Sequence, residues 1–108
     1  MGFMRIYSDA NGETHFEDVE FPRGGAEMPA GRLMLRYQEA GRLMDWHTIS
    51  QRMYYVTLSG EADVTVSDGE TRRVGPGNVT VCEDTTGKGH RTQVLATGPR
   101  LCLAVTVE

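Results

Sequence analysis

The amino-acid sequence predicts a single all-β domain of the sandwich or barrel type. Three observations support this class. Apolar and polar residues alternate with a period of two in many short segments, and no segment carries a sustained helical period. Turns rich in Gly, Pro and Asn separate these segments at short intervals, a pattern typical of sandwiches and barrels. With 108 residues, the chain has room for one modest core.

The predicted strands follow one another along the whole chain. Residues 4–7 form the first strand, Asn11-Gly12 forms a turn, and residues 15–21 form the second strand. Residues 22–31 contain three glycines and two prolines, which predicts a loop. The later strands with clear alternation lie at residues 33–38, 62–66, 79–83 and 101–107.

The dipeptide Asp68-Gly69 predicts a tight hairpin between two of these strands. A type I′ turn needs positive φ at both central residues, and Asp-Gly is one of the pairs that favour it. Further corners of the chain are expected at Ser59-Gly60, Gly75-Pro76-Gly77, Gly87-Lys88-Gly89 and Gly98-Pro99.

Composition and charge disfavour several classes of function. The net charge is −4 and the basic residues are scattered, which argues against a nucleic-acid partner and against docking on an anionic membrane. No apolar stretch approaches the roughly 20 residues of a membrane helix. The first nine residues do not resemble a secretory signal. We therefore expect Cys82 and Cys102 to be reduced thiols in a cytoplasmic protein.

Two stretches of the chain resemble the two sequence motifs of the cupin family. In the first stretch, residues 41–60, Gly41, His47 and Gly60 stand where that family's first motif has a Gly, a His and a closing Gly. In the second stretch, residues 75–92, Gly77-Asn78 opens the run and Gly87-Lys88-Gly89-His90 ends it. The chain is similar to a group of short bacterial single-domain cupins, through residues that extend from His15 to Thr92.

This resemblance implies a double-stranded β-helix, also called a jelly-roll barrel, formed by residues 1–108 as one domain. We expect the N-terminal strands and loop at residues 1–31 and the barrel at residues 32–108. The family includes dioxygenases, isomerases, decarboxylases, cyclases and binding modules, so the fold alone does not choose a function.

The metal-binding form of the family uses two His and a Glu from the first motif and a His from the second. Here Ile49 stands at the second His position and Met53 at the Glu position, so only His47 and His90 remain. A divalent Fe, Mn, Ni or Zn ion on His47, His90 and a third donor such as Gln51 or Glu83 is therefore the alternative hypothesis.

Strand parity predicts which side chains accompany His47 in the interior. Residues two apart share a face, so an inward His47 predicts an inward Ile49, Gln51, Met53 and Tyr55. Such a lining resembles a small-molecule pocket with a few polar anchors. We predict these four residues, together with Trp46 beside His47, as substrate contacts.

The leading functional hypothesis is an enzyme that needs no cofactor and performs acid/base chemistry with His47 and His90 on a small organic substrate. Isomerisation, elimination, cyclisation and decarboxylation all fit. Glu83 is the third candidate catalytic residue, because an inward carboxyl group would have a raised pKa. A non-catalytic ligand-binding module remains open as well.

The remaining expectations concern His15 and the partners of the chain. His15 is expected to be structural or exposed rather than part of the pocket. The expected partners are a small-molecule substrate and a second copy of the chain, because the edge strands of so small a barrel commonly pair between subunits.

Overall fold

A computed structural model describes residues 2–108 of the chain. These residues contain ten strands and no helix, so the all-β prediction is confirmed. The described range accordingly has no helical segment long and apolar enough to span a membrane. The strands are β1 (Phe3–Ser8), β2 (Thr14–Asp18), β3 (Ala30–Gln38), β4 (Leu43–His47), β5 (Met53–Ser59), β6 (Ala62–Val66), β7 (Thr71–Val74), β8 (Val79–Cys82), β9 (His90–Val94) and β10 (Arg100–Val107).

The ten strands form two sheets. The larger sheet has the order β2-β1-β8-β5-β10-β3, and the smaller has the order β4-β9-β6-β7. Neighbouring strands are antiparallel except β1 and β8, which run parallel. Because β1 lies between β2 and β8, the N-terminal strands are integral to the larger sheet.

The hydrophobic core lies between the two sheets and follows the alternation of the sequence. On β10, Cys102 and Ala104 are fully buried while Leu103 and Val105 are only partly covered. β6 alternates in the same way. The main core cluster contains Met4, Ile6, Phe16, Ile49, Met53, Ala62, Val64, Val66, Val74, Cys82 and Ala104.

The hairpin between β6 and β7 differs from the predicted type I′ turn. Gly69 has φ +98°, but no residue other than glycine has positive φ within residues 2–108, so Asp68 does not adopt that conformation. Gly69 N donates to Val66 O and Val66 N donates to Glu70 O, which closes a three-residue loop. This is a type I turn followed by a left-handed glycine, the next most common hairpin connection.

The two cysteines are both buried and both free, as expected for reduced thiols. Cys82 lies on β8 and Cys102 on β10, and β5 separates these strands in the sheet. Burial is the main reason that the pKa of each thiol is raised. Neither thiol therefore resembles the low-pKa nucleophile of a cysteine enzyme.

Strand β3 forms one edge of the larger sheet and is the least covered of its strands. Its outward side chains Leu33, Leu35 and Tyr37 are 66%, 68% and 62% exposed. In the register of β10, Leu35 lies opposite Leu103, so the apolar surface continues onto the neighbouring strand. The nine residues of β3 have a hydrogen-bonded neighbour on one side only.

Candidate active site

The structure brings His47 and His90 together across two paired strands. His47 ends β4, His90 begins β9, and the two residues are direct partners in the antiparallel register. Their ring centroids lie 4.7 Å apart. The register shifts between Met44 and His47, which is a β-bulge, and this extra residue places His47 on the same side as Met44.

Gly89 makes this close approach possible. It has φ +75°, and a Cβ atom built on it would lie 2.1 Å from the carbonyl oxygen of His47. The Thr14 hydroxyl, fully buried, donates a hydrogen bond to the Gly89 carbonyl at 2.6 Å and fixes the turn from the other side. A glycine is therefore required immediately before His90.

Asp84 orients the imidazole of His90. The Asp84 side chain is completely buried, and its Oδ2 lies 2.6 Å from His90 Nδ1. Asp84 Oδ1 is buried as well and has no hydrogen-bond partner within residues 2–108. The carboxylate therefore depends on His90 for its one side-chain hydrogen bond.

His47 is held in a similar way by the backbone. Its Nδ1 donates to the carbonyl oxygen of Asp45 at 2.7 Å, because a carbonyl oxygen only accepts. Within residues 2–108, Nε2 of each histidine makes no hydrogen bond. The pair therefore presents two free Nε2 atoms on rings whose orientation is fixed.

Both rings line a cavity of about 50 Å³ between the two sheets, which we call the histidine cavity. Tyr55 contributes a phenol whose pKa is raised, mainly by burial. The cavity is lined by Ile6, Gln38, Met44, His47, Tyr55, Val64, Thr80, Cys82, His90, Thr92 and Arg100.

Arg100 is the one cationic side chain among the lining residues that the structure describes, and it is only 6% exposed. Its Nε and Nη2 donate to Thr57 Oγ1 at 3.3 and 2.9 Å, and its Nη1 donates to Gln38 Oε1 at 3.2 Å. Arg100 and Gln38 are direct partners in the register of β10 and β3.

The apolar residues predicted as substrate contacts lie in the core instead. Ile49 and Met53 are 6% and 5% exposed and pack in the main hydrophobic cluster, and neither lines the histidine cavity. Gln51 is exposed and does not line the cavity. Strand parity placed Ile49, Met53 and Tyr55 inward, as found, but it fails at Gln51 because residues 48–52 form no strand between β4 and β5.

Trp46 and Glu83 also lie outside the cavity. Trp46 is 45% exposed, since the bulge turns it away from His47. Glu83 forms ion pairs with Arg5 and, at 2.6 Å, with Arg52. Burial raises the Glu83 pKa, but the two arginines outweigh burial and lower it, contrary to the raised pKa expected for an inward carboxyl group.

Several residues of the cavity were not singled out from the sequence. Arg100 alternates with Cys102 and Ala104, so strand parity could have placed it inside. Gln38 can be recognised as a cavity residue only once β3 is known to pair with β10. Asp84 lies behind His90 rather than in the cavity lining, and its sequence neighbours Thr85-Thr86-Gly87 are typical of a turn and give no signal of burial.

No family model and no curated protein matches the sequence. Solved structures do match. A cupin protein from Bacteroides fragilis is 23% identical, with a TM-score of 0.55, over 70% of this chain and 64% of that chain. The cupin domain of Schizosaccharomyces pombe Cnp3 is 14% identical, with a TM-score of 0.57, over 88% of this chain and 78% of that chain. An RmlC-like cupin protein from Desulfovibrio desulfuricans is 18% identical, with a TM-score of 0.51, over 83% of this chain and 90% of that chain.

This chain has the cupin fold. The predicted fold class, a jelly-roll cupin, is confirmed. Identities below 25% establish the fold, and the chemistry has to be argued from the residues of the site.

The donor set of the histidine cavity does not match that of a metal-binding cupin. His47 and His90 have free Nε2 atoms with oriented rings, as metal ligands do. However, no group of three or more His, Cys, Asp and Glu side chains that could hold a metal ion occurs within residues 2–108. Catalytic zinc sites use three protein ligands. The predicted third donor, Gln51, is exposed and lies outside the cavity lining.

Proposed function

We propose that this protein binds a small organic molecule in the histidine cavity and transfers protons to and from it through His47 and His90. The observation that carries the proposal is the pairing of the two imidazoles, 4.7 Å apart, each with Nδ1 anchored and Nε2 free. Positioned imidazoles are the most common groups for general acid/base catalysis. Isomerase- and lyase-type reactions need this kind of proton transfer and no redox step.

The surroundings of the two rings suggest different roles. A proton taken up at His90 Nε2 creates an imidazolium next to the buried Asp84 carboxylate, which stabilises the charge. The one hydrogen bond of His47 goes to the carbonyl of Asp45, and the residue is exposed. We therefore assign His90 as the base that removes a proton, and His47 as the group that takes a proton from solvent at Nε2 and delivers it to the substrate at the cavity mouth.

Proton abstraction can be tested without knowing the natural substrate. Pyruvate, acetoacetate and dihydroxyacetone would be incubated with the protein in D₂O, and deuterium incorporation next to the carbonyl would be followed by NMR. A proton removed from carbon by His90 exchanges with solvent deuterium before it returns. We expect His90→Ala to lower the exchange rate by about 100-fold or more.

His15→Gln is the matched control, because His15 is outside the cavity lining and lies between two surface carboxylates. Exchange that persists unchanged in both His47→Ala and His90→Ala would contradict the proposal. Binding of these compounds at the histidines with no exchange would favour the non-catalytic binding module.

The metal content of the purified protein tests the alternative hypothesis of a divalent metal site. Protein purified without a tag or added metal would be analysed by inductively coupled plasma mass spectrometry. We expect far less than one metal ion per chain, because the structure shows no group of three His, Cys, Asp or Glu side chains within residues 2–108 that could hold a metal ion, and burial raises the pKa of the Cys82 thiol that lines the cavity. Stoichiometric metal that is lost in both His47→Ala and His90→Ala would establish a metal-centred enzyme instead.

We also propose that the chain forms a homodimer through antiparallel pairing of two β3 strands. A long exposed edge strand with an apolar face is a template for pairing with another chain. A two-fold axis at Leu35 places Leu33 opposite Tyr37 of the second copy, an apolar pair. The same register places Met34 opposite Arg36, so the two Arg36 side chains do not face each other.

A further inference from the structure

Arg100 is an unusual residue for the interior of so small a domain. The residue is only 6% exposed, and arginine is almost never buried without an ionic partner. Arg100 forms no salt bridge within residues 2–108, so no carboxylate oxygen in this range lies within 4.0 Å of its nitrogens. Its three hydrogen bonds go to neutral oxygens.

The Arg100 guanidinium has N–H groups that make no hydrogen bond within residues 2–108. Of its five N–H groups, three donate to Thr57 Oγ1 and Gln38 Oε1, which leaves one on Nη1 and one on Nη2. These three bonds, to Thr57 on β5 and Gln38 on β3, hold the guanidinium in place, and the residue lines the histidine cavity. A fixed guanidinium that lines a cavity and keeps two N–H groups free is suited to an anion.

Two other charged side chains, Asp84 and Arg36, bear on this part of the interior. Asp84 is the buried carboxylate closest to the site, and its Oδ2 is hydrogen bonded to His90 Nδ1. Arg36 lies opposite Cys102 in the register of β3 and β10, on the inward side, and adds a second positive charge at the exposed edge. The buried Asp84 carboxylate is thus engaged by His90, whereas the buried guanidinium of Arg100 keeps two N–H groups free.

We propose that the ligand of the histidine cavity carries a carboxylate group, which binds Arg100 and thereby places the rest of the molecule against His47 and His90. This inference rests on the proposed function, because it names the substrate class of the same site. A carboxylate matches the donor set better than a phosphate, since the cavity lining has a single guanidinium with two free N–H groups. A phosphate dianion carries more charge and a third oxygen that one arginine leaves unsatisfied.

The cavity volume sets the size of this ligand. About 50 Å³ holds a few water-sized groups, so the natural ligand is a small acid or an acid whose remainder extends through the mouth beside His47. The carboxylate, as the most strongly held group, would be the inner end of the molecule.

The decisive comparison is made on the wild-type protein, so that it does not depend on whether a variant folds. Acetate and acetamide have nearly the same shape and differ in charge. Binding of each is followed by NMR shifts of the His47 and His90 ring resonances at constant ionic strength. We expect acetate to bind at least tenfold more tightly than acetamide.

Variants then assign the preference to Arg100. Arg100→Gln should abolish the preference for acetate, whereas Arg100→Lys, which keeps the charge, should retain part of it. Arg73→Gln is the matched control, because Arg73 is an exposed arginine on β7 paired with Asp63, and should leave both affinities unchanged.

The outcomes separate this inference from the function on which it rests. Equal binding of acetate and acetamide, or a preference that survives in Arg100→Gln, overturns the carboxylate assignment and leaves a small-molecule cavity. Tighter binding of inorganic phosphate than of acetate overturns it in favour of a phosphorylated ligand. If neither compound perturbs the two histidines, both the inference and the proposed cavity function are contradicted.

Discussion

His90 Nδ1 and Asp84 Oδ2 lie 2.6 Å apart, and their side chains are 7% and 0% exposed. Asp84 Oδ1 has no partner among the described residues, so His90 supplies the one hydrogen bond that this buried carboxylate receives from a side chain. A buried ionised group is tolerated only when it is paired. The catalytic candidate His90 therefore also supports the stability of the fold.

We predict that His90→Ala lowers the free energy of unfolding by about 3 kcal/mol, because it leaves a buried carboxylate unpaired. His90→Asn should recover part of the loss, since the amide N–H groups can donate to Asp84. Urea denaturation monitored by circular dichroism measures both. In the His90→Ala background, Asp84→Asn removes the buried charge and should restore stability. A loss below about 0.5 kcal/mol in His90→Ala would show that the pair contributes little.

Gly89→Ala should separate the two imidazoles while leaving both in the sequence. The added Cβ would lie 2.1 Å from the His47 carbonyl oxygen, and the φ of +75° is unfavourable for alanine, so β4 must move away from β9. We expect loss of proton exchange activity together with reduced stability. Gly98→Ala is a suitable control, because its Cβ would meet no atom within 4 Å and its φ is not positive. Full activity in Gly89→Ala would mean that the pairing of the rings is not needed.

Much of the fold could be predicted because alternation and turn residues are local signals. Leu101 to Val107 alternate in the sequence and are strand β10 in the structure. The two histidines were predicted from their motif positions, and the structure places both at one cavity. The cupin resemblance gave the topology, which local patterns do not contain.

The rest of the site depends on geometry that the sequence does not express. One extra residue in β4 turns Trp46 outward and His47 inward, and parity alone has no way to locate such a bulge. The loop at residues 48–52 resets the alternation before β5, so the face of Gln51 could not be inferred from His47. Arg100 and Gln38 meet across 62 residues of chain, through a strand pairing that only the tertiary structure supplies.

The β3 edge predicts the oligomeric state. Light scattering coupled to size-exclusion chromatography should give twice the 12.0 kDa chain mass for the wild type. Leu35→Lys places a charge at the centre of the proposed strand pair and should give a monomer near 12.0 kDa. Leu43→Lys, at a leucine 44% exposed on the smaller sheet, is the control and should remain dimeric. A monomeric wild type at low micromolar concentration would contradict the dimer.

His15 lies on the outer surface between two carboxylates. Its Nε2 lies 2.7 Å from Asp9 Oδ2 and its Nδ1 2.8 Å from Asp68 Oδ2. The hydrogen bond to Asp9, followed by that to Asp68, raises the pKa of His15 above its ordinary value of 6.5. The pKa of Asp9 is lowered mainly by His15, and that of Asp68 mainly by the Glu70 amide and then by His15.

These directions fix the pH range in which the cluster stabilises the fold. A raised histidine pKa contributes stability below pH 6.5 that is lost as the pH rises through the folded pKa, and the lowered aspartate pKa values contribute stability above pH 3.8. His15→Gln should therefore lower Tm most near pH 5 and least near pH 9. Arg73→Gln breaks a pair without a histidine and should give the same Tm loss at both pH values. A His15→Gln loss that is equally large at pH 9 would show that the residue acts by packing rather than by charge.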